Sequence, residues 1–140
     1  MAVSSTTHLL DTSVYCQPVK PVPLVSVQKR WNALGDDRLA VSTICEAELL
    51  YGLELKGSAK LNAHYNHLLK DRLRLLPVDA EVALVFARLK AWAKRKGHSC
   101  SDFDFLIAAT AKAHGLILAT LNARHFQWIE GLAVEDWTED

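Results

Sequence analysis

Three stretches of this chain open on a helix-capping residue and close on a glycine, and this punctuation limits the folds open to it. They run from Ser42 to Gly57, from Asp79 to Gly97 and from Ser101 to Gly115. A serine or aspartate at the N-cap accepts from an amide left free by the first turn, and glycine adopts the left-handed turn that ends a helix. Short apolar runs stand between these helices: His8–Leu10, Leu39–Ser42, Arg72–Pro77, Leu116–Ala119 and Ala133–Glu135. Strands that alternate with helices predict an α/β fold with a mainly parallel sheet covered on both faces.

The remaining elements follow the same logic. A helix is expected from Val25 to Leu34, stopped by Gly35, and another from a cap at Ser58 to about Asp71. The helix after Asp79 carries Val82, Val85, Phe86, Leu89, Trp92 and Ala93 at helical spacing, which is a core-facing stripe. Residues 16–23 hold Pro18, Pro21 and Pro23 and read as a loop, and Asn122 to Phe126 as one helical turn. His64 and His67 could pair on a helix, but no cysteine or carboxylate supports them, and a solvated face accounts for both.

At 140 residues the chain has the length of one domain. Its sixteen basic residues balance sixteen acidic ones, so nucleic-acid binding would need a local patch rather than bulk charge. Cys16, Cys45 and Cys100 have neither the spacing of a zinc knuckle nor an even count for a disulfide framework. The expected setting is the reducing cytoplasm, with no signal peptide and no membrane span.

Three carboxylates stand at the edges of these elements. Asp11 ends the first strand, Glu48 lies one turn into the helix after the second, and Asp104 opens a later helix. Ligands of such sheets bind beyond the carboxyl ends of the strands, and Asp11, Glu48, Thr120 and Asn122 would share that edge. Converging carboxylates suit a hard divalent cation such as magnesium. Each residue also has a plainer reading. Asp11 could be a turn aspartate, and Glu48 an exposed helix residue that periodicity does not separate from Glu46. Ser101-x-x-Asp104 has the form of a capping box, and Asp102 competes with Asp104 for the site. Thr12, Ser13 and Thr120 could orient the carboxylates through their hydroxyls. From Val82 to Ser101 there is no acid but five cations, among them Lys94, Arg95 and Lys96, which could contact phosphates. Trp31, with Leu34, Leu50 and Leu53, is a candidate partner groove.

In order and spacing, these segments resemble the PIN-domain ribonucleases, in particular the VapC-like toxins of bacterial toxin–antitoxin pairs. The resemblance rests on Leu9-Leu10-Asp11-Thr12-Ser13, Ser42-Thr43-Ile44 leading to Glu48-Leu49-Leu50-Tyr51-Gly52, Asp104-Phe105-Leu106-Ile107-Ala108-Ala109 with Gly115, Thr120-Leu121-Asn122 with His125-Phe126, and Gly131 to Trp137. It implies one PIN-like domain over residues 1–140, core about 8–137, folded as a three-layer α/β sandwich. It implies a metal-dependent endoribonuclease whose Asp11, Glu48 and Asp104 hold Mg2+ or Mn2+, with Asn122 assisting. It selects Glu48 over Glu46 and Asp104 over Asp102. It also implies an RNA substrate, an antitoxin partner, and a homodimer or toxin–antitoxin hetero-oligomer. Relatives often carry a fourth acid where this chain has Asn122 and His125. That substitution supports an alternative, a weak or inactive scaffold that binds RNA or a protein. A phosphoacceptor signalling domain fits worse, because Asp11 stands alone and no lysine follows the late strand.

Overall fold

Five short strands form one sheet in the order β3-β2-β1-β4-β5, all parallel. The computed structural model describes residues 5–139. The strands are β1 His8–Leu10, β2 Leu39–Ser42, β3 Arg74–Leu76, β4 Ile117–Thr120 and β5 Val134–Asp136. Six helices connect or flank them: α1 Thr12–Tyr15, α2 Val25–Leu34, α3 Thr43–Lys56, α4 Ala59–Leu68, α5 Ala80–Lys96 and α6 Asp102–His114. Among the described residues no helix is long and apolar enough to cross a membrane.

The caps act where the sequence puts them. Side chains of Ser42, Ser58, Asp79 and Ser101 accept from the amides of Cys45, Leu61, Val82 and Asp104. Gly57, Gly97 and Gly115 close α3, α5 and α6 in the left-handed conformation. Strand β1 lies between β2 and β4, so it is covered on both faces and both edges. Leu9, Leu10, Val41 and Leu118 are accordingly buried. Each such side chain contributes roughly 1.5–3 kcal/mol on transfer from water.

Five details differ from the sequence reading. Helix α1 falls where no helix is expected, since four residues show no period. Helix α4 ends at Leu68 rather than near Asp71, because the chain turns there and Asp71 takes a positive φ of 59°. Strand β3 is correspondingly shorter, and the Pro-rich loop contains a 3-10 turn at Gln17–Val19. Trp31 lines a groove of about 400 Å3, but with Gln17, Pro18, Pro23, Leu68 and Arg72 rather than with Leu34, Leu50 and Leu53. Trp31 is only 4% exposed, its Nε1 donates to Asp36 Oδ1 at 2.8 Å, and the Arg72 guanidinium lies 4.8 Å above its ring. The indole joins the core through partners that come later in the chain.

Candidate active site

The carboxyl end of β1 carries the site. Asp11 follows Leu10 directly, and its amide donates to Ala119 O at 2.9 Å, which ties it to β4. Its backbone is extended, and it serves as the N-cap of α1, with Oδ1 accepting from the Thr12 amide at 2.8 Å. Its other oxygen, Oδ2, accepts from Ser13 Oγ at 2.9 Å and Thr120 Oγ1 at 2.8 Å. Ser13 Oγ accepts in turn from the Leu121 amide, and Thr120 Oγ1 from the Asn122 amide. Asp11 is 6% exposed and Thr120 fully buried. Among the described residues, the carboxylate is held by one amide and two hydroxyl donors.

Glu48 enters from α3. Thr12 Oγ1 donates to Glu48 Oε1 at 2.7 Å, so the residue next to Asp11 links the two acids. Beside this link runs a groove of about 270 Å3 lined by Thr12, Lys20, Glu48, Leu53 and Lys56, among others. Glu46, two residues earlier, points elsewhere. It accepts from the Tyr15 hydroxyl at 2.5 Å and from the Tyr65 hydroxyl. Burial, the hydrogen bond to Glu46 and the Glu46 charge push both phenols up. Each oxygen of that carboxylate accepts from one neutral hydroxyl.

Asp104 enters from the first turn of α6 and is half-buried. Its amide donates to Ser101 Oγ at 3.1 Å, one half of a capping box. Its carboxyl has a raised pKa. Burial is the largest cause and the Asp11 charge the second; the Ser101 hydroxyl and the nearby His125 act the other way and are outweighed. Asp102 is exposed and pairs with Lys90 at 2.7 Å. Asp104 therefore lies within reach of the Asp11 charge, whereas Asp102 is paired with a lysine on α5.

Asn122 contributes its backbone N–H to the Thr120 hydroxyl, and its side chain is exposed. Lys94, Arg95 and Lys96 are exposed on the last turn of α5. Sequence reasoning did not find the aromatic rings next to the site. Trp128 is half-buried and donates from Nε1 to His125 O at 2.8 Å. Its signal was only a tryptophan three residues after His125.

The family model for the PIN domain matches residues 8–131. The chain belongs to the PIN-domain family. Within it, the tRNA(fMet)-specific endonuclease VapC of Shigella flexneri is 32% identical, over 93% of this chain and 97% of that protein. Among solved structures, FitAcB from Neisseria gonorrhoeae matches with a TM-score of 0.84 and 31% identity, covering 94% of this chain and 98% of that one. The DNA-bound VapBC of Salmonella typhimurium matches with a TM-score of 0.82 and 30% identity, over 94% and 98%. This PIN-domain chain is a member of the VapC branch, that of the toxin ribonucleases.

The donors at the site of this PIN domain are all oxygens, the chemistry that hard cations such as magnesium and manganese prefer. Among the described residues, no three Asp, Glu, His or Cys side chains stand close enough together to hold one ion. Magnesium does not require three. It is commonly held by one or two carboxylates with several waters. Asp11, with Asp104 within reach of its charge, fits that requirement, and Glu48 is joined to Asp11 through Thr12.

Proposed function

We propose that this chain is an endoribonuclease that hydrolyses RNA phosphodiester bonds with the help of Mg2+ or Mn2+. The observation that carries the reading is the buried Asp11 carboxylate at the end of the central strand, fixed by Ser13 and Thr120 and joined to Glu48 through Thr12. Asp11 and Asp104 are the proposed ligands. Glu48, held by Thr12, orients water at the site, and Ser13 and Thr120 fix the Asp11 carboxylate so that it does not swing. The Asn122 amide supports Thr120. A bound divalent cation would supply charge to offset that building on the phosphoryl oxygens and would lower the pKa of a water it holds. Lys94, Arg95 and Lys96 take the phosphates of the incoming strand. The chain works as one domain in the cytoplasm, in keeping with its three free cysteines.

The proposed partner is an antitoxin, bound to a homodimer or in a hetero-oligomer. Helix α3 leaves Leu50, Tyr51 and Leu55 between 40% and 71% exposed, an apolar face suited to cover by another chain. One observation favours a second reading, a scaffold that binds RNA without cutting it. The acids do not close on one point, and Asn122 and His125 stand where relatives often have a fourth acid.

One experiment separates the two. Partner-free protein is incubated with a mixed RNA pool that includes initiator tRNA, in magnesium, in manganese and in chelator, beside Asp104→Asn. Metal-dependent cleavage lost in the variant supports the enzyme. Binding without cleavage in every condition supports the scaffold.

A further inference from the structure

Three rings lie almost parallel beside the site. The Trp92 and Trp128 planes differ by 6° with centroids 6.1 Å apart, and His98 and Trp128 by 18° at 4.7 Å. Trp128 is held firmly. Phe105 meets it edge-on at 87°, Trp92 lies along it, and its Nε1 is bonded to His125 O. His98 is held less. It is exposed, on the short loop between α5 and α6, and its amide returns to Ala93 O at 2.9 Å. A flat, exposed imidazole backed by a fixed indole is a shelf for another flat ring.

Its position gives the ring a class. Phe105 directly follows Asp104, and His125, whose carbonyl holds Trp128, is close enough to lower the Asp104 pKa. On the other side His98 follows the exposed Lys94, Arg95 and Lys96 after one glycine. A single strand that puts a phosphate at Asp104 and another at these cations would carry a base across His98. Unpaired RNA bases are commonly received on aromatic side chains, without demand for base identity.

We propose that His98, backed by Trp128, stacks an unpaired base next to the scissile phosphate and so positions single-stranded RNA in the site. This rests on the reading of the chain as an RNA-cleaving enzyme. The stack does no chemistry itself, so its loss should act on substrate affinity before turnover.

The test uses an unstructured oligoribonucleotide and the whole chain. Binding is followed in chelator by tryptophan fluorescence. Trp31 and Trp137 are buried, so quenching on contact comes from Trp92 and Trp128. Cleavage is followed in magnesium. For His98→Ala we expect a loss of about tenfold in Kd and a matching rise in KM, with kcat within about twofold, in line with one lost base stack. His98→Phe should restore the affinity, which a merely structural loop would not require. An oligonucleotide lacking the base at the contacting position should bind wild type and His98→Ala alike. Wild-type affinity in His98→Ala, or no rescue by His98→Phe in folded protein, overturns the shelf while leaving the enzyme intact. If folded wild type neither binds nor cuts RNA, both the shelf and the enzyme reading fall. Quenching by a protein partner alone would assign the rings to an interface instead.

Discussion

Strand β1 carries a polar side chain at each end, and the two are treated in opposite ways. At its start, His8 is 6% exposed and its Nε2 meets Glu135 Oε1 at 3.0 Å, with Arg30 within 4.0 Å of the same oxygen. Burial raises the Glu135 carboxyl. Hydrogen bonds from Trp137 and His8, with the charges of His8 and Arg30, together outweigh it and leave the pKa lowered. Beyond its last residue, Asp11 accepts from two hydroxyls and an amide, and its charge, after burial, helps raise the Asp104 pKa. The first arrangement is complete as it stands. The second is the arrangement on which the proposed metal site rests. Opposite charges brought together serve stability, whereas like charges brought together serve a ligand.

The largest effect that tests this contrast is at Asp104. Its folded pKa is raised above the ordinary 3.8. The native state then binds more protons than the unfolded one, so stability falls as pH rises from the ordinary value through the raised one. Charged Asp104 is therefore a cost at neutral pH without metal. Asp104→Asn should raise the melting temperature of metal-free protein while lowering cleavage at least ~100-fold, a barrier change of about 2.7 kcal/mol. A lower melting temperature in scanning calorimetry would break the comparison. Glu135→Ala should do the reverse. It leaves His8 and the Trp137 Nε1 without their acceptor and should cost about 2–3 kcal/mol in urea melts, with kcat unchanged. Because the Glu135 pKa is lowered, its contribution is present above the ordinary 4.5 and disappears as pH falls through the lowered value.

Thr120→Val removes a buried hydroxyl from Asp11 Oδ2 and an acceptor from the Asn122 amide. A loss of about 1–2 kcal/mol is expected, together with weaker manganese binding by calorimetry. Unchanged manganese affinity would show that Asp11 needs no such support. The smallest effect is at the α5 terminus. Lys94→Glu with Arg95→Glu should weaken cleavage by a few-fold at moderate salt and flatten the salt dependence by about 0.7 per lost phosphate contact. Manganese binding should be untouched, and equal cleavage at low salt would remove these cations from the RNA path.

Much of the fold is legible in local chemistry. Ser42 and Gly57 bracket α3, and Asp79 and Gly97 bracket α5, because caps and left-handed glycines act through neighbours in sequence. The misses involve partners distant in sequence. Glu46 and Glu48 cannot be separated by period, and only Tyr15 and Tyr65, from α1 and α4, show what occupies Glu46. Trp31 looked unpartnered because Asp36 and Arg72 complete its surroundings from later loops. For the site, Asp11 was legible from its strand end, and Thr12, Ser13 and Thr120 from their proximity to it. The nearness of Asp104 to the Asp11 charge was not, since it depends on how α6 packs against α3 and β4. His98 and Trp128 were missed for the same reason, standing thirty residues apart on separate loops.

The sheet order also has a consequence for synthesis. Strand β1 leaves the ribosome first, yet one of its edges stays open until β4 has been made. Asp11 waits for Thr120, 109 residues downstream, to close its hydrogen bonds. No nascent fragment that stops short of β4 holds the finished site. For a toxin ribonuclease this is a safeguard in the connectivity itself: the site cannot be complete before β4 has left the ribosome.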